Sequence, residues 1–201
     1  MTPEAVAEVL DGPCRLEIAG FVLAPLCDAD IDDLFAHFGD ARVTEFLDIE
    51  PVEARFQTWD VIDWANGVRE AGTGVRWAIR DEAGGFVGTC GFHRLTYLQA
   101  RRGEVGYDLD HARWGQGVMG RILPELLAFG FDALGLHRIE ALVTPGNDRS
   151  CRLLERHGFE REGRLRDYGQ WRGRYWDQIL FARLRDEAET GAAIGRGQAD
   201  A

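Results

Sequence analysis

Three stretches of strand-like alternation stand one after another in the middle of this chain, and their position limits the fold more than any other feature. Residues 75–80 and 86–92 are joined by Asp81, Glu82, Ala83, Gly84 and Gly85, a hairpin loop whose glycines accept the positive φ angles such connections need. Residues 103–109 form the third, with Val105, Tyr107 and Leu109 on one face and Glu104, Gly106 and Asp108 on the other. A meander in this place excludes a doubly wound parallel sheet. Beyond it the period changes: Leu123, Leu126, Leu127 and Leu134 recur at helical spacing, a strand follows at 137–143, a short helix at 147–157 stops at Gly158, and 175–184 reads as a long strand. Those two crossovers exclude a purely antiparallel protein. The expected fold class is α/β, with a mixed, mostly antiparallel sheet flanked by helices.

The chain before the meander supplies a strand at 15–23, with a turn at Gly20 and an end at Pro25. Asp28 is placed to cap a helix whose apolar face is Ile31, Leu34, Phe35 and Phe38, and residues 50–70 form a second helical region with Phe56, Trp59, Ile62 and Val68 toward the core. Pro124 lies inside the later helix, where it cannot donate to residue 120, so a kink or an irregular first turn is expected.

A length of 201 residues suits one domain with a real core, taken as residues 1–185. Residues 186–201, rich in Gly and Ala, have a composition too poor in apolar groups to offset ordering entropy, and a disordered tail is expected there. The formal net charge of -11 repels nucleic-acid phosphates and fits a cationic or amine partner better. Cys14, Cys27, Cys90 and Cys151 form no C-x-x-C pair and have no close His partner, so no metal site is expected and the cysteines read as small buried hydrophobes. No apolar run reaches membrane-spanning length and the first residues are acidic rather than basic. The expectation is a cytoplasmic protein without a membrane partner.

Trp114 to Gly120 falls directly after a strand and before a helix, where successive N–H groups can form an anion-binding nest. Gly115, Gly117 and Gly120 satisfy the G-x-G-x-x-G spacing, yet a dinucleotide turn opens a βαβ unit, and here a meander precedes it. The Walker lysine is also missing. The run from Gly106 to Arg121 resembles the central motif of the GCN5-related N-acetyltransferase superfamily, in particular its branch that acetylates ribosomal-protein amino termini. Trp114 falls where Gln or Arg usually stands, Gly117 matches the central glycine, and Met119 replaces the usual Gly or Ala, where it would crowd the phosphate. Residues 15–26 are similar to the family's opening strand, with Ala24 for arginine before Pro25. Residues 147–159 are similar to its Asn-x-x-Ser helix, with His157 for leucine.

The resemblance implies a splayed sheet that admits acetyl-CoA as donor substrate between the strands near 104–109 and 137–143. It implies coenzyme contacts at Tyr107, Leu109, Trp114, Gly115, Gln116, Gly117, Val118, Met119, Gly120, Asn147 and Arg152. It implies Glu104 as the base acting through a water, Ser150 as the acid for the leaving sulfur, and the Tyr107 amide as a donor to the carbonyl oxygen if a bulge leaves it unpaired. Each has a structural reading beside it: Asn147 as a helix cap, Ser150 as an ordinary first-turn residue, Glu104 as the partner of an arginine. His93, His111, His137 and His157 do not cluster in sequence and receive no role. Residues 167–174, with Tyr168 and Trp171, read as a loop lining the acceptor entrance. The implied acceptor is a protein amino terminus beginning with Ser or Ala, with a small-molecule amine or a non-catalytic acetyl-CoA-binding module as alternatives. Monomer and homodimer both fit.

Overall fold

The structure is a computed structural model that describes residues 3–11, 15–97 and 100–185. Cys14 and the expected tail at 186–201 lie outside those residues. In chain order the elements are α1 (Pro3–Asp11), β1 (Leu16–Ile18), β2 (Phe21–Pro25), α2 (Ile31–Gly39), α3 (Ala41–Thr44), α4 (Gln57–Glu70), β3 (Val75–Asp81), β4 (Phe86–Thr96), β5 (Arg102–Leu109), α5 (Val118–Ala128), β6 (Arg138–Val143), α6 (Asp148–Arg156), β7 (Glu160–Trp171) and β8 (Arg174–Leu184). The strands form one sheet in the order β1-β2-β3-β4-β5-β6-β8-β7. Neighbours are antiparallel except β5 and β6, which run parallel.

That parallel pair is short. Arg102, Gly103 and Glu104 align with Arg138, Ile139 and Glu140, and there the pairing ends, although β5 continues to Leu109 and β6 to Val143. The sheet is therefore mixed and splayed at its centre. Because alternate residues of a strand turn their N–H and C=O groups to the same edge, β5 beyond Glu104 offers backbone groups to an open slot.

One face of the sheet packs Val75, Trp77, Phe92, Val105 and Ile139 against α1, α5 and α6 through Val6, Leu10, Ile122, Leu126 and Leu154. The other places Ala78 with Leu34, Phe38, Ile62 and Ala65 of α2 and α4. Turn chemistry sets the hairpins: Ala19 and Gly20 both have positive φ between β1 and β2, so the strand read at 15–23 is two strands around the expected turn. Gly158 ends α6 with φ +77.

Several elements differ from expectation. Residues 167–171 are strand, part of β7, which almost lacks buried residues; an edge strand held by pairing to β8 shows no apolar alternation to detect. Phe56 and Trp59 are exposed, and α4 turns Thr58, Ile62 and Ala65 inward instead. The turn before α2 is closed by Asp30, whose carboxylate accepts the Cys27 N–H at 2.8 Å, not by Asp28. Cys27 is exposed. Pro124 lies within α5, and a wide π-type turn follows it over Phe129–Ala133.

A buried polar knot fastens β5 on the α2 side of the sheet. Asp108 is 7% exposed and pairs with the Arg76 guanidinium of β3. It also accepts from His37 Nε2 at 2.6 Å, from Thr89 Oγ1 at 2.8 Å and from the Thr89 N–H at 3.1 Å. Burial alone would push the Asp108 carboxyl up; the Arg76 charge and the His37 and Thr89 hydrogen bonds outweigh it and hold it at about 2. A folded-state value below the ordinary 3.8 means that this carboxylate stabilises the fold above pH 3.8 and stops doing so as pH falls through 2. We expect Asp108→Asn to cost about 3–5 kcal/mol at neutral pH, the range for breaking a buried pair. In urea titrations the gap to wild type should close between pH 4 and pH 2; a gap independent of pH would contradict the ionic role.

Candidate active site

The glycine turn is built as a backbone device. Gly115 and Gly117 sit at φ +74 and +71, conformations that a β-branched residue resists, and Gly117 is the residue before α5. No side chain caps that helix, its first turn has no acidic residue, and the first closing bond runs from Arg121 N to Gly117 O at 3.2 Å. The amides of Val118, Met119 and Gly120 thus lack intrahelical acceptors and point outward at the positive end of the helix dipole. A Cβ built on Gly115, Gly117 or Gly120 would meet nothing within 4 Å. The face beside the turn is open to a ligand.

Side chains around the turn serve its shape. Trp114 donates its indole N–H to Leu109 O at 2.9 Å and lies under the Arg149 guanidinium, 4.9 Å from the ring centre. Gln116 Nε2 donates to Ala112 O at 2.7 Å. Val118 and Met119 are buried in the core beneath α5. The expected crowding by Met119 therefore does not arise, because its first-turn position on the helix points inward. Arg152 is exposed on α6, and Leu109 is half-buried against the core.

Across the slot, Asn147 caps α6 by accepting the Ser150 N–H at 3.2 Å, so the capping reading holds for this side chain. Ser150 Oγ lies 2.8 Å from the Tyr107 hydroxyl. Burial pushes the Tyr107 phenol up to about 12, offset only in part by the Ser150 hydrogen bond; it keeps its proton at neutral pH and can donate it. The Tyr107 hydroxyl was missed as a candidate acid, because only the chain's return through α6 brings it to Ser150. β5 pairs regularly with β4 from Glu104 to Leu109, and the register shift lies on β4, between His93 and Thr96. The bulge conceived for β5 is absent: the splay, not a bulge, opens the edge that carries Tyr107.

Glu104 is on the opposite face of β5. Its carboxylate is 17% exposed and accepts from Arg94 at 2.9 Å, so the expected arginine partner exists. Burial nevertheless raises its pKa, with Asp48 and Glu140 adding to the rise and Arg94 opposing it. The bound proton is held to higher pH than in an ordinary carboxylate, the direction that strengthens it as a proton acceptor. Of the four histidines without a role, His93 lies opposite Glu104 in register, under Trp64 at 5.0 Å. Burial together with Arg76 and Arg94 pushes it down to about 3, so it is neutral. Tyr168 reaches this face and Trp171 does not: Trp171 stacks on Trp176 with ring centres 5.4 Å apart.

A mixed sheet split at its centre, an open glycine turn on one side of the slot and a half-buried carboxylate on the other define the acyl-CoA N-acyltransferase fold. Residues 21–160 match the acetyltransferase (GNAT) domain model, and the chain belongs to that family. It is 36% identical over 159 residues to the uncharacterized N-acetyltransferase p20 of Bacillus licheniformis, covering 79% of this chain and 89% of the relative. Among solved structures, the ribosomal-protein-S5-alanine acetyltransferase of Vibrio fischeri superposes with a TM-score of 0.74 at 23% identity, over 86% of this chain and 97% of that one. The spermidine N-acetyltransferase of Vibrio cholerae, in complex with CoA and spermine, superposes at 0.72 and 21% identity, over 83% and 96%.

Gly120 allows a test in which stability and binding move oppositely. It is inside α5 without a positive φ, so Gly120→Ala should stabilise the fold by about 0.5–1 kcal/mol. The added methyl stands in the open face of the turn, and acetyl-CoA binding measured by calorimetry should weaken about tenfold. Unchanged affinity would place the coenzyme elsewhere.

Proposed function

We propose that the protein transfers the acetyl group of acetyl-CoA to a primary amine by direct attack, without an acyl-enzyme. The observation that carries this reading is the split strand β5, which presents Glu104 on one face and the Tyr107–Ser150 pair on the other. At about 3.3 Å per residue the two stations are roughly 10 Å apart along the strand. An acceptor amine approaching from the Glu104 side and a thiolate leaving on the Tyr107 side would pass through one slot without competing for space.

Coenzyme A binds with its pyrophosphate on the amides of residues 115–120, and the thioester enters the slot. A cationic amine gives one proton to Glu104 through a water, and Glu104 passes it to solvent. The neutral nitrogen forms the N–C bond, and a β5 amide on the open edge, that of Tyr107, donates to the carbonyl oxygen as it gains charge. The C–S bond then breaks. The Tyr107–Ser150 pair gives the sulfur a proton, and the proton shed by the nitrogen restores the pair. Cys151 takes no part: burial, followed by Asp148 and Glu155, raises its pKa, which disfavours a nucleophilic thiolate.

For the acceptor we propose the amino terminus of a protein beginning with Ser or Ala. Support comes from the resemblance of residues 106–121 to the branch that acetylates ribosomal proteins and from the likeness to the Vibrio fischeri enzyme. A small polyamine is the second reading, favoured by the acidic groups Asp48 and Glu104 at the mouth and by the likeness to the spermidine enzyme. A thiol-release screen with acetyl-CoA against Ser- and Ala-initiated peptides and a panel of small amines separates the two. No turnover with any amine would favour a non-catalytic binding module.

With a productive acceptor, Glu104→Gln should lower kcat about 100-fold or more at pH 7 and recover in part at high pH. Ser150→Ala should cost about tenfold and Tyr107→Phe more. The sign for stability is opposite to that for activity: a raised folded-state pKa means that the Glu104 charge costs stability once pH exceeds its ordinary range, so Glu104→Gln should not lower Tm. Wild-type turnover in Glu104→Gln across the pH range would remove Glu104 as the base.

A further inference from the structure

Arg94 stands where strand alternation would not put it. Along β4, Cys90 and Phe92 face the core beneath α5, and the next residue of that parity is Arg94. The chain avoids burying it there by a bulge: the register with β5 slips between His93 and Thr96, Arg94 takes φ +51, and Leu95 enters the core in its place. His93 and Arg94 then lie on the same face, that of Glu104. A non-glycine residue in the left-handed region is strained, and such strain persists where a side chain must be re-aimed.

The bulge delivers one guanidinium nitrogen to two acceptors. Arg94 NH1 donates to Glu104 Oε2 at 2.9 Å and to the Tyr168 hydroxyl at 2.7 Å, with the guanidinium carbon 5.8 Å from the Tyr168 ring centre. Tyr168 is itself carried on an irregularity of β7, where the register with β8 slips between Leu165 and Gly169 and Asp167 has φ +48. Two bulges on strands from opposite sides of the slot thus meet over the carboxylate. The Arg94 side chain is 60% exposed and Glu104 17%: the cation can swing into solvent, and the carboxylate cannot.

We infer that Arg94 is a specificity-determining gate for the acceptor, its guanidinium holding the place of the substrate ammonium between Glu104 and Tyr168 until a cationic acceptor displaces it. This rests on the proposed use of Glu104 as the base. Neutral amines and anions gain nothing from the exchange, whereas an ammonium replaces the departing charge. An acceptor also bears the cost of opening the gate, so its apparent affinity is reduced by the fraction of molecules that are closed.

The groups that face Glu104 are Arg94 and His93 on β4, Glu140 on β6 with its partners Arg138 and Arg102, Asp48 in the segment before α4, and Tyr168 on β7. His93 is neutral and Trp64 of α4 covers it. Arg94 is the cation that lowers the Glu104 value, so its removal must move that titration upward.

The test uses Arg94→Gly, which suits φ +51 and keeps the bulge, and Arg94→Lys, which keeps the charge without the two-acceptor geometry. The full chain loaded with CoA is titrated calorimetrically with butylammonium as the bare cation. The Glu104 carboxyl is followed by carbon-13 NMR against pH, with Glu104→Gln assigning the signal. Arg94→Gly should bind butylammonium about fivefold more tightly, the gain from removing one exposed pair, and should move the Glu104 titration upward; Arg94→Lys should leave that titration near wild type. Binding no tighter than wild type, or an unmoved titration in Arg94→Gly, would overturn the gate. Failure of the base assignment shows separately, as undiminished turnover in Glu104→Gln, whatever the Arg94 variants do.

Discussion

The carboxylate of Asp108 is the interaction on which the rest of the arrangement depends. β5 gives up its partner on one edge after Glu104, and a strand paired on one side only would be free to bend into the slot. Asp108 prevents this by tying β5 to β3 through Arg76, to β4 through Thr89 and to α2 through His37. Asp108 itself is buried, so the bonds it accepts are strong and would be costly to leave unmade. The strand can present an open edge because its polar anchor is on the closed side.

Opening the sheet also separates the chemistry. Side chains alternate along β5, so Glu104 and Tyr107, three residues apart, belong to opposite faces. The α2 and α4 side holds the half-buried Glu104 carboxylate, its pKa raised by burial first and by Asp48 and Glu140 after it. The α5 and α6 side holds the Tyr107–Ser150 hydroxyl pair and the glycine turn. Low exposure raises both groups: it weakens Glu104 as an acid, and it keeps the Tyr107 phenol protonated. One strand therefore carries, on opposite faces, a carboxylate of raised pKa and a hydroxyl pair that holds its proton.

Bulges supply what regular alternation cannot. Arg94 and Tyr168 are both placed by residues in left-handed conformations, Arg94 itself and Asp167. A glycine would sit at either position with less strain, so the side chains present there are held at a local cost. By contrast the strain-free devices, such as Gly117 before α5 and Gly158 after α6, do their work through the backbone alone.

Much of the fold was legible in the residues themselves. The meander, the two crossovers, the hairpin turn at Gly20 and the glycine turn before a helix follow from period and from φ preferences, which are local properties of a chain. The residues of the turn follow from a local glycine pattern, whereas Glu104, Tyr107 and Ser150 are implied by the resemblance to a family and by no period or spacing of their own. What needed the tertiary structure was any feature made by partners distant in sequence. β7 carries no apolar period and exists through β8; Phe56, just before α4, and Trp59, within it, have the look of core residues yet are exposed; Met119 turns inward because of where its helix begins. The Asp108 knot joins residues 37, 76, 89 and 108, and the Arg94 gate joins residues 94, 104 and 168. Hydrogen bonds and ion pairs of that kind leave no periodic trace in the sequence, because their strength depends on burial and distance that only the packed sheet supplies.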